Sequence, residues 1–142
     1  MKVYPDANIY ITYLLGQKGE ALAVKFFTQG LECRFSIVAS NTMFAEVAQR
    51  CEGNGLMLLQ KNVDEFKGAN KLEIIEKTPE ELKEAVETAV KLGESLGRND
   101  VLHTILAKRC ADVFVTNDRN LLKFAQKSQN AMSLKEFVGS EP

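Results

Sequence analysis

Four carboxylates stand apart from the other acidic residues of this sequence. Asp6 follows the apolar run Val3-Tyr4-Pro5, and Asp118 closes the stretch Val113-Phe114-Val115-Thr116-Asn117-Asp118. A short unbroken apolar run reads as a strand buried on both faces of a parallel sheet. Ligands of such sheets gather beyond the carboxyl ends of the strands. Glu46 lies beside the apolar face (Met43, Phe44, Val47, Ala48) of one expected helix, and Asp100 directly precedes Val101-Leu102 at the start of another. Carboxylates brought together repel one another, and without a cation some would hold their protons at raised pKa. Mg²⁺ or Mn²⁺ takes oxygen ligands and keeps several waters. Such a site can position a phosphodiester, activate water and stabilise the leaving oxygen.

Each of the four also has a plainer local role. Asp118 and Asp100 are good N-caps, Asp6 can close an Asx-turn, and Glu46 can pair with Arg50 four residues on. Spacing alone does not choose between four local roles and one shared metal site. Other acidic residues are easier to place, since Glu80, Glu81, Glu84, Glu87 and Glu94 line the solvent side of one amphipathic helix.

Competing chemistries find little support. His103 is the single histidine, so a His-based zinc site is absent and a Ser–His nucleophile has little room. One turn after Asp100 on an otherwise apolar helix, it reads as a packed residue behind the site rather than a catalytic one. Cys33, Cys51 and Cys110 match neither a disulfide framework nor a zinc pattern, and read as free buried thiols of a reducing cytoplasm. No Gly-rich phosphate loop occurs.

The elements that must position the four carboxylates follow from periodicity and punctuation. Strands are expected over Lys2–Pro5, Arg34–Val38, Leu72–Ile75 and Val113–Thr116, with Ala131–Ser133 as a fifth. Helices are expected over Ile9–Leu15, Gly19–Gln29 (with Gly30 as its C-cap), Met43–Arg50 and Leu56–Phe66. Gly53-Asn54-Gly55 separates the last two. Thr78-Pro79-Glu80-Glu81 is a capping box that opens a helix read as far as Leu96, with Gly97 as its stop. A further helix starts at Asn99 or Asp100, another covers Arg119–Gln126, and Leu134–Val138 forms a last turn. The alternation predicts an α/β fold, a three-layer sandwich whose central, mostly parallel sheet of four to five strands carries helices on both faces. One domain over residues 1–138 accounts for the chain, and the tail 139–142 is expected to fray.

With 142 residues the chain can bury a sizeable core. No apolar run approaches the ~20 residues that span a bilayer, and no secretory leader is evident, so a cytoplasmic protein is expected. Eighteen basic and 19 acidic residues leave a net charge of −1, which supplies no bulk attraction for nucleic acid.

Asp6-Ala7-Asn8 after the first strand, Glu46 within Thr42-Met43-Phe44-Ala45-Glu46-Val47, Asp100 opening Asp100-Val101-Leu102-His103, and Thr116-Asn117-Asp118 together resemble the PIN-domain nucleases. The resemblance is nearest to the small VapC-like toxins of prokaryotic toxin–antitoxin pairs and covers nearly the whole chain. It implies a Mg²⁺- or Mn²⁺-dependent endoribonuclease with Asp6, Glu46, Asp100 and Asp118 as catalytic metal ligands. Asn8 and Thr116 would be their polar supports. It also implies a homodimer silenced by an antitoxin. Arg98, Arg119 and Lys123, beside Asp100 and Asp118 in sequence, are the expected RNA contacts, with the Lys61 and Lys67 face as the alternative. A PIN ribonuclease of RNA processing and a non-catalytic PIN-fold module are the neighbouring alternatives. Two further rivals fit less well. A haloacid-dehalogenase-type phosphotransferase needs a second aspartate where Asn8 stands, and a receiver-like domain needs an acidic pair where Asp6 stands alone.

Overall fold

The computed structural model describes residues 1–93 and 95–140. Alternating side chains explain its layers. In β1 (Lys2–Pro5) Val3 points to one face and Tyr4 to the other. Ile37 and Val38 of β2 (Ser36–Ser40), and Val113 and Phe114 of β4 (Val113–Val115), divide in the same way. Two cores result, one on each side of a sheet that both sides bury. The Val3 side is covered by α1 (Ala7–Leu15), α2 (Glu20–Leu31), α3 (Asn41–Arg50), α4 (Asn54–Gly68) and α8 (Leu134–Ser140). The Tyr4 side is covered by α5 (Pro79–Leu92), α6 (Arg98–Cys110) and α7 (Arg119–Gln126).

With β3 (Leu72–Ile75) and β5 (Ala131–Met132), the sheet has five strands in the order β3-β2-β1-β4-β5, every pair parallel. Val3 lies opposite both Ile37 and Val113, so β1 is the centre. The chain first builds outward through β2 and β3, then crosses to the other side of β1 for β4 and β5. The strand order therefore reverses at the β1/β4 seam, the place where open α/β sheets bind their ligands. No described helix is long and apolar enough to cross a membrane.

Several boundaries differ from those read in the sequence. Helix α1 begins at Ala7 rather than Ile9, which makes Asp6 its N-cap residue. Strand β2 is displaced to Ser36–Ser40, because its ladder with β3 runs on to Ser40 opposite Ile75. Asn54 and Gly55 belong to the first turn of α4 rather than to the turn before it. Helix α5 stops at Leu92, since Gly93 adopts φ 71° and leaves the helical region. Leu96, read as the end of that helix, is still buried against the same core, so the apolar stripe outlasts the helix. Glu94 lies outside the described residues. Helix α6 begins at Arg98, after Gly97, and not at Asn99 or Asp100. Gly139 and Ser140, expected to fray, continue α8, while Glu141 and Pro142 lie outside the described residues. All three cysteines are free, but only Cys51 is buried and Cys33 is exposed.

Gly30 is not a C-cap either. It sits inside α2, where an added Cβ would stand 2.9 Å from Phe66 Cε1 and 3.1 Å from Phe35 Cε2. Both rings are held in an aromatic cluster, with Phe35 against Phe26 at 4.8 Å and Phe66 against Phe27 at 6.0 Å between centroids. Gly30→Ala would gain up to about 1 kcal/mol of helix propensity but lose about 1–3 kcal/mol by overpacking. A net destabilisation of about 1–2 kcal/mol is expected in urea unfolding. A variant more stable than wild type would show that the rings yield.

Candidate active site

Asp6 ends the central strand. Its backbone N–H donates to Val115 O at 2.8 Å, extending the β1/β4 ladder, and its side chain is 3% exposed. The carboxylate does not cap α1, so neither a cap nor an Asx-turn explains it. Instead Oδ2 accepts a hydrogen bond from Thr116 Oγ1 at 2.9 Å. Thr116, fully buried after β4, in turn accepts from the backbone N–H of Asp118 at 3.1 Å. One hydroxyl thus joins the ends of both central strands, through the Asp6 carboxylate and the Asp118 backbone.

Asp118 does cap its helix. Its Oδ1 accepts from the N–H groups of Asn120 and Leu121 at 3.0 and 3.2 Å. Asp100, in the first turn of α6, reaches back with Oδ2 to the N–H of Gly97 at 3.4 Å, the glycine offering no side chain in return. Glu46 ignores Arg50. Its Oε1 meets Nε2 of the fully buried His103 at 2.8 Å, across from the other helical layer. Asn8 is exposed and donates to none of the four among the described residues. Arg98, Arg119 and Lys123 are all exposed.

A buried chain of hydrogen bonds stands behind Glu46. His103 Nδ1 lies 2.7 Å from the hydroxyl of Tyr4, which lies 2.7 Å from Ser40 Oγ. Ser40 accepts the N–H of Met43 at 3.0 Å as N-cap of α3. With a neutral imidazole the polarity runs one way: Met43 N–H to Ser40, Ser40 to Tyr4, Tyr4 to His103 Nδ1, and Nε2–H to the Glu46 carboxylate. Burial raises the Tyr4 pKa well above that of a free phenol, so its O–H persists throughout the working pH range. His103 is thus a packed partner of the site, as its position in the sequence suggested. Tyr4 and Ser40 were missed. The one available signal was a hydroxyl-bearing aromatic in the middle of a strand buried on both faces, which needs a polar partner.

The four carboxylates act on one another. Burial raises Asp6 to about 6, with His103 and Thr116 pulling down and Asp100 and Glu46 pushing up. Burial likewise raises Asp100, to which Asp118 and Glu46 add. Each carboxylate commits one oxygen to a protein donor and offers the other, Asp6 Oδ1, Glu46 Oε2, Asp100 Oδ1 and Asp118 Oδ2, to no hydrogen bond among the described residues. Hard oxygen donors with repelling charge suit a hard divalent cation, so the residues present fit such an ion in kind. As the side chains stand, no three His, Cys, Asp or Glu groups among the described residues form a ready metal cage.

The raised Asp6 pKa has a consequence for stability. Above pH 4 the unfolded carboxyl ionises while the folded one still holds its proton, so the folded state binds more protons and stability falls as pH rises towards about 6. The loss is complete above that value and amounts to at most about 3 kcal/mol. Asp6→Asn, which keeps an oxygen for Thr116, is expected to stabilise the fold at pH 7.5 more than at pH 4.5 in denaturant titrations. Equal gains at both values would mean that Asp6 is not held at raised pKa.

Comparison with known proteins agrees with this fold. The PIN domain family profile matches residues 3–127. No curated protein matches the chain. PAE2754 from Pyrobaculum aerophilum superposes with a TM-score of 0.60 at 18% identity, over 98% of this chain and 96% of that one. VapBC2 from Rickettsia felis, solved bound to a DNA fragment from their promoter, gives 0.62 at 19% identity over 94% and 98%. FitAB, solved bound to an IR36 DNA fragment, gives 0.61 at 17% identity over 93% and 94%. At these identities the likeness is one of fold. The phosphotransferase and receiver readings fall away, and the chain belongs to the PIN domain family.

Proposed function

We propose that this protein is a divalent-metal-dependent endoribonuclease whose metal ligands are Asp6, Glu46, Asp100 and Asp118. What supports the reading is that Asp6 and Asp118 follow the two strands at the strand-order reversal and that Glu46 and Asp100 act electrostatically on Asp6, each of the four having one oxygen anchored and one without a hydrogen bond among the described residues. A non-catalytic module would have no use for four mutually repelling carboxylates, one of them buried.

When bound, Mg²⁺ or Mn²⁺ supplies Lewis-acid charge to a phosphodiester and lowers the pKa of attacking water. The chain's own residues do the rest. Thr116 favours the ionised form of Asp6 against the effect of burial and orients it through its 2.9 Å hydrogen bond. His103 aims Glu46, and the N-terminus of α7 steadies Asp118. Asn8, exposed two residues after Asp6, is the weaker of the two polar supports because it donates to none of the four. Arg98 and Arg119, next to the cluster in sequence and exposed, offset its charge towards an incoming phosphate, with Lys123 one turn further on.

The resemblance to VapC-like toxins, together with the fold shared with VapBC2 and FitAB, supports an antitoxin as partner and a homodimer as the assembly. Exposed apolar surface at Leu56, Met57 and Leu58 of α4 is consistent with such contacts.

The purified protein is expected to cut RNA with Mg²⁺ or Mn²⁺ and to stop when EDTA is added. Asp100→Asn should lose cleavage by more than the roughly 10–100-fold typical of removing an outer partner of a metal, with its melting temperature retained. Mn²⁺ should raise the melting temperature of wild type and leave Asp6→Asn unmoved. A clean Asp100→Asn preparation that cuts at the wild-type rate would end the proposed mechanism.

A further inference from the structure

Beside the carboxylate cluster lies a cleft that the sequence did not announce. It consists of two adjoining depressions of about 390 and 370 Å³ that share Asn41, Thr42, Lys77 and Leu82. The second runs on to Arg98 and Asn99 and touches Ala45 and Leu102, the chain neighbours of Glu46 and His103. One end of the cleft therefore lies close to the site, although none of the four carboxylates lines it. Each depression is of small-ligand size, at the lower end of the ~300–1,000 Å³ range.

Two cations line the cleft, Lys77 and Arg98, both exposed. Neither takes part in an ion pair among the described residues. Lys77 Nζ donates to Thr42 Oγ1 at 3.2 Å, which points the ammonium into the cleft with donors to spare. The loop that carries it is anchored from behind. Arg109 of α6 donates from Nη2 to the Glu76 carbonyl at 2.9 Å and grips the Glu81 carboxylate through Nε and Nη2 at 2.8 and 2.9 Å. The Thr78–Glu81 capping box fixes the residue after Lys77. Glu76 is the one carboxylate on the lining, and its Oε1 is engaged by Asn41 Nδ2 at 2.9 Å. No aromatic side chain lines either depression.

We propose that this cleft holds the backbone of single-stranded RNA as it leaves the carboxylate cluster, with Lys77 as a phosphate contact. The inference rests on the ribonuclease reading above and gives it a direction: the strand runs from the site past Arg98 towards the β3–α5 loop. Ammonium, guanidinium, hydroxyl and amide donors suit phosphate oxygens and 2′-hydroxyls. A lining without rings offers no platform for base stacking, so the contact is indifferent to sequence.

The test is RNA affinity against salt, measured with a fluorescent single-stranded oligoribonucleotide at saturating Ca²⁺, with cleavage by wild type in Mg²⁺ or Mn²⁺ recorded in parallel. Lys77→Ala should bind roughly five- to tenfold more weakly and lower the salt slope by about 0.7, by equal amounts for oligonucleotides of different sequence. Lys77→Arg should restore both. Lys91→Ala, roughly 18 Å along α5 at 1.5 Å per residue, should match wild type. If wild type binds and cuts while Lys77→Ala keeps its affinity and slope, the cleft is not the path and the ribonuclease reading stands. If a Lys77-dependent preference for duplex over single strand emerges, the single-strand assignment is overturned. If wild type neither binds nor cuts, the ribonuclease reading falls and the path falls with it.

Discussion

A carboxylate at the end of a fully buried strand is the constraint on which the rest of this structure turns. Asp6 must follow β1 because its N–H completes the ladder with Val115, and β1 is the central strand of the five. Its side chain is then out of water, where an ionised carboxylate is costly unless hydrogen-bonded or paired with a cation. Thr116 meets part of that need, and its own place is set by the adjacent strand β4. Neighbouring carboxylates add to the cost, as the raised Asp6 and Asp100 show. A fold that retains such repulsion at the carboxyl ends of its strands gives up stability there, and a cation would return it.

The second support is the hydrogen-bond chain from Ser40 through Tyr4 and His103 to Glu46. It joins the ends of β2 and α3, the middle of β1, and the interior of α6. Helices α3 and α6 lie on opposite faces of the sheet, so their relative position is not set by one common core. A chain of short bonds through the sheet links them near Glu46 and Asp100. Every member except Glu46 is fully buried, and each has a partner, which is the condition for a polar network inside a core to be tolerated.

Much of the architecture was legible from the residues. The unbroken apolar runs Val3-Tyr4-Pro5 and Val113-Phe114-Val115, the Thr78–Glu81 capping box and the alternation of strands and helices led to the three layers and to the parallel sheet. Boundaries misread were those where one residue serves two masters. Ser40 belongs to the β2 ladder and caps α3, Leu96 packs on the core after α5 has ended, and Gly30 is small because two rings approach it, not because a helix stops.

The site divides along the same line. Residue type and position after a strand or within a helix marked Asp6, Glu46, Asp100 and Asp118 as candidates, because those positions follow from local periodicity, but did not choose between four local roles and one shared site. Which oxygen of each is anchored, and by what, was decided only by the tertiary structure. Asp118 took the local role of N-cap, while Glu46 passed over Arg50 four residues away for His103, 57 residues away. Tyr4 and Lys77 carry no pattern that periodicity reads, since the partners of Tyr4 lie 36 and 99 residues off and that of Lys77 lies 35 off; the cap that Ser40 makes is local, but its bond to Tyr4 is not. Local sequence sets backbone conformation and the face a side chain uses. The partner met across the sheet depends on strand order and register, which the whole chain settles by burying both faces at once.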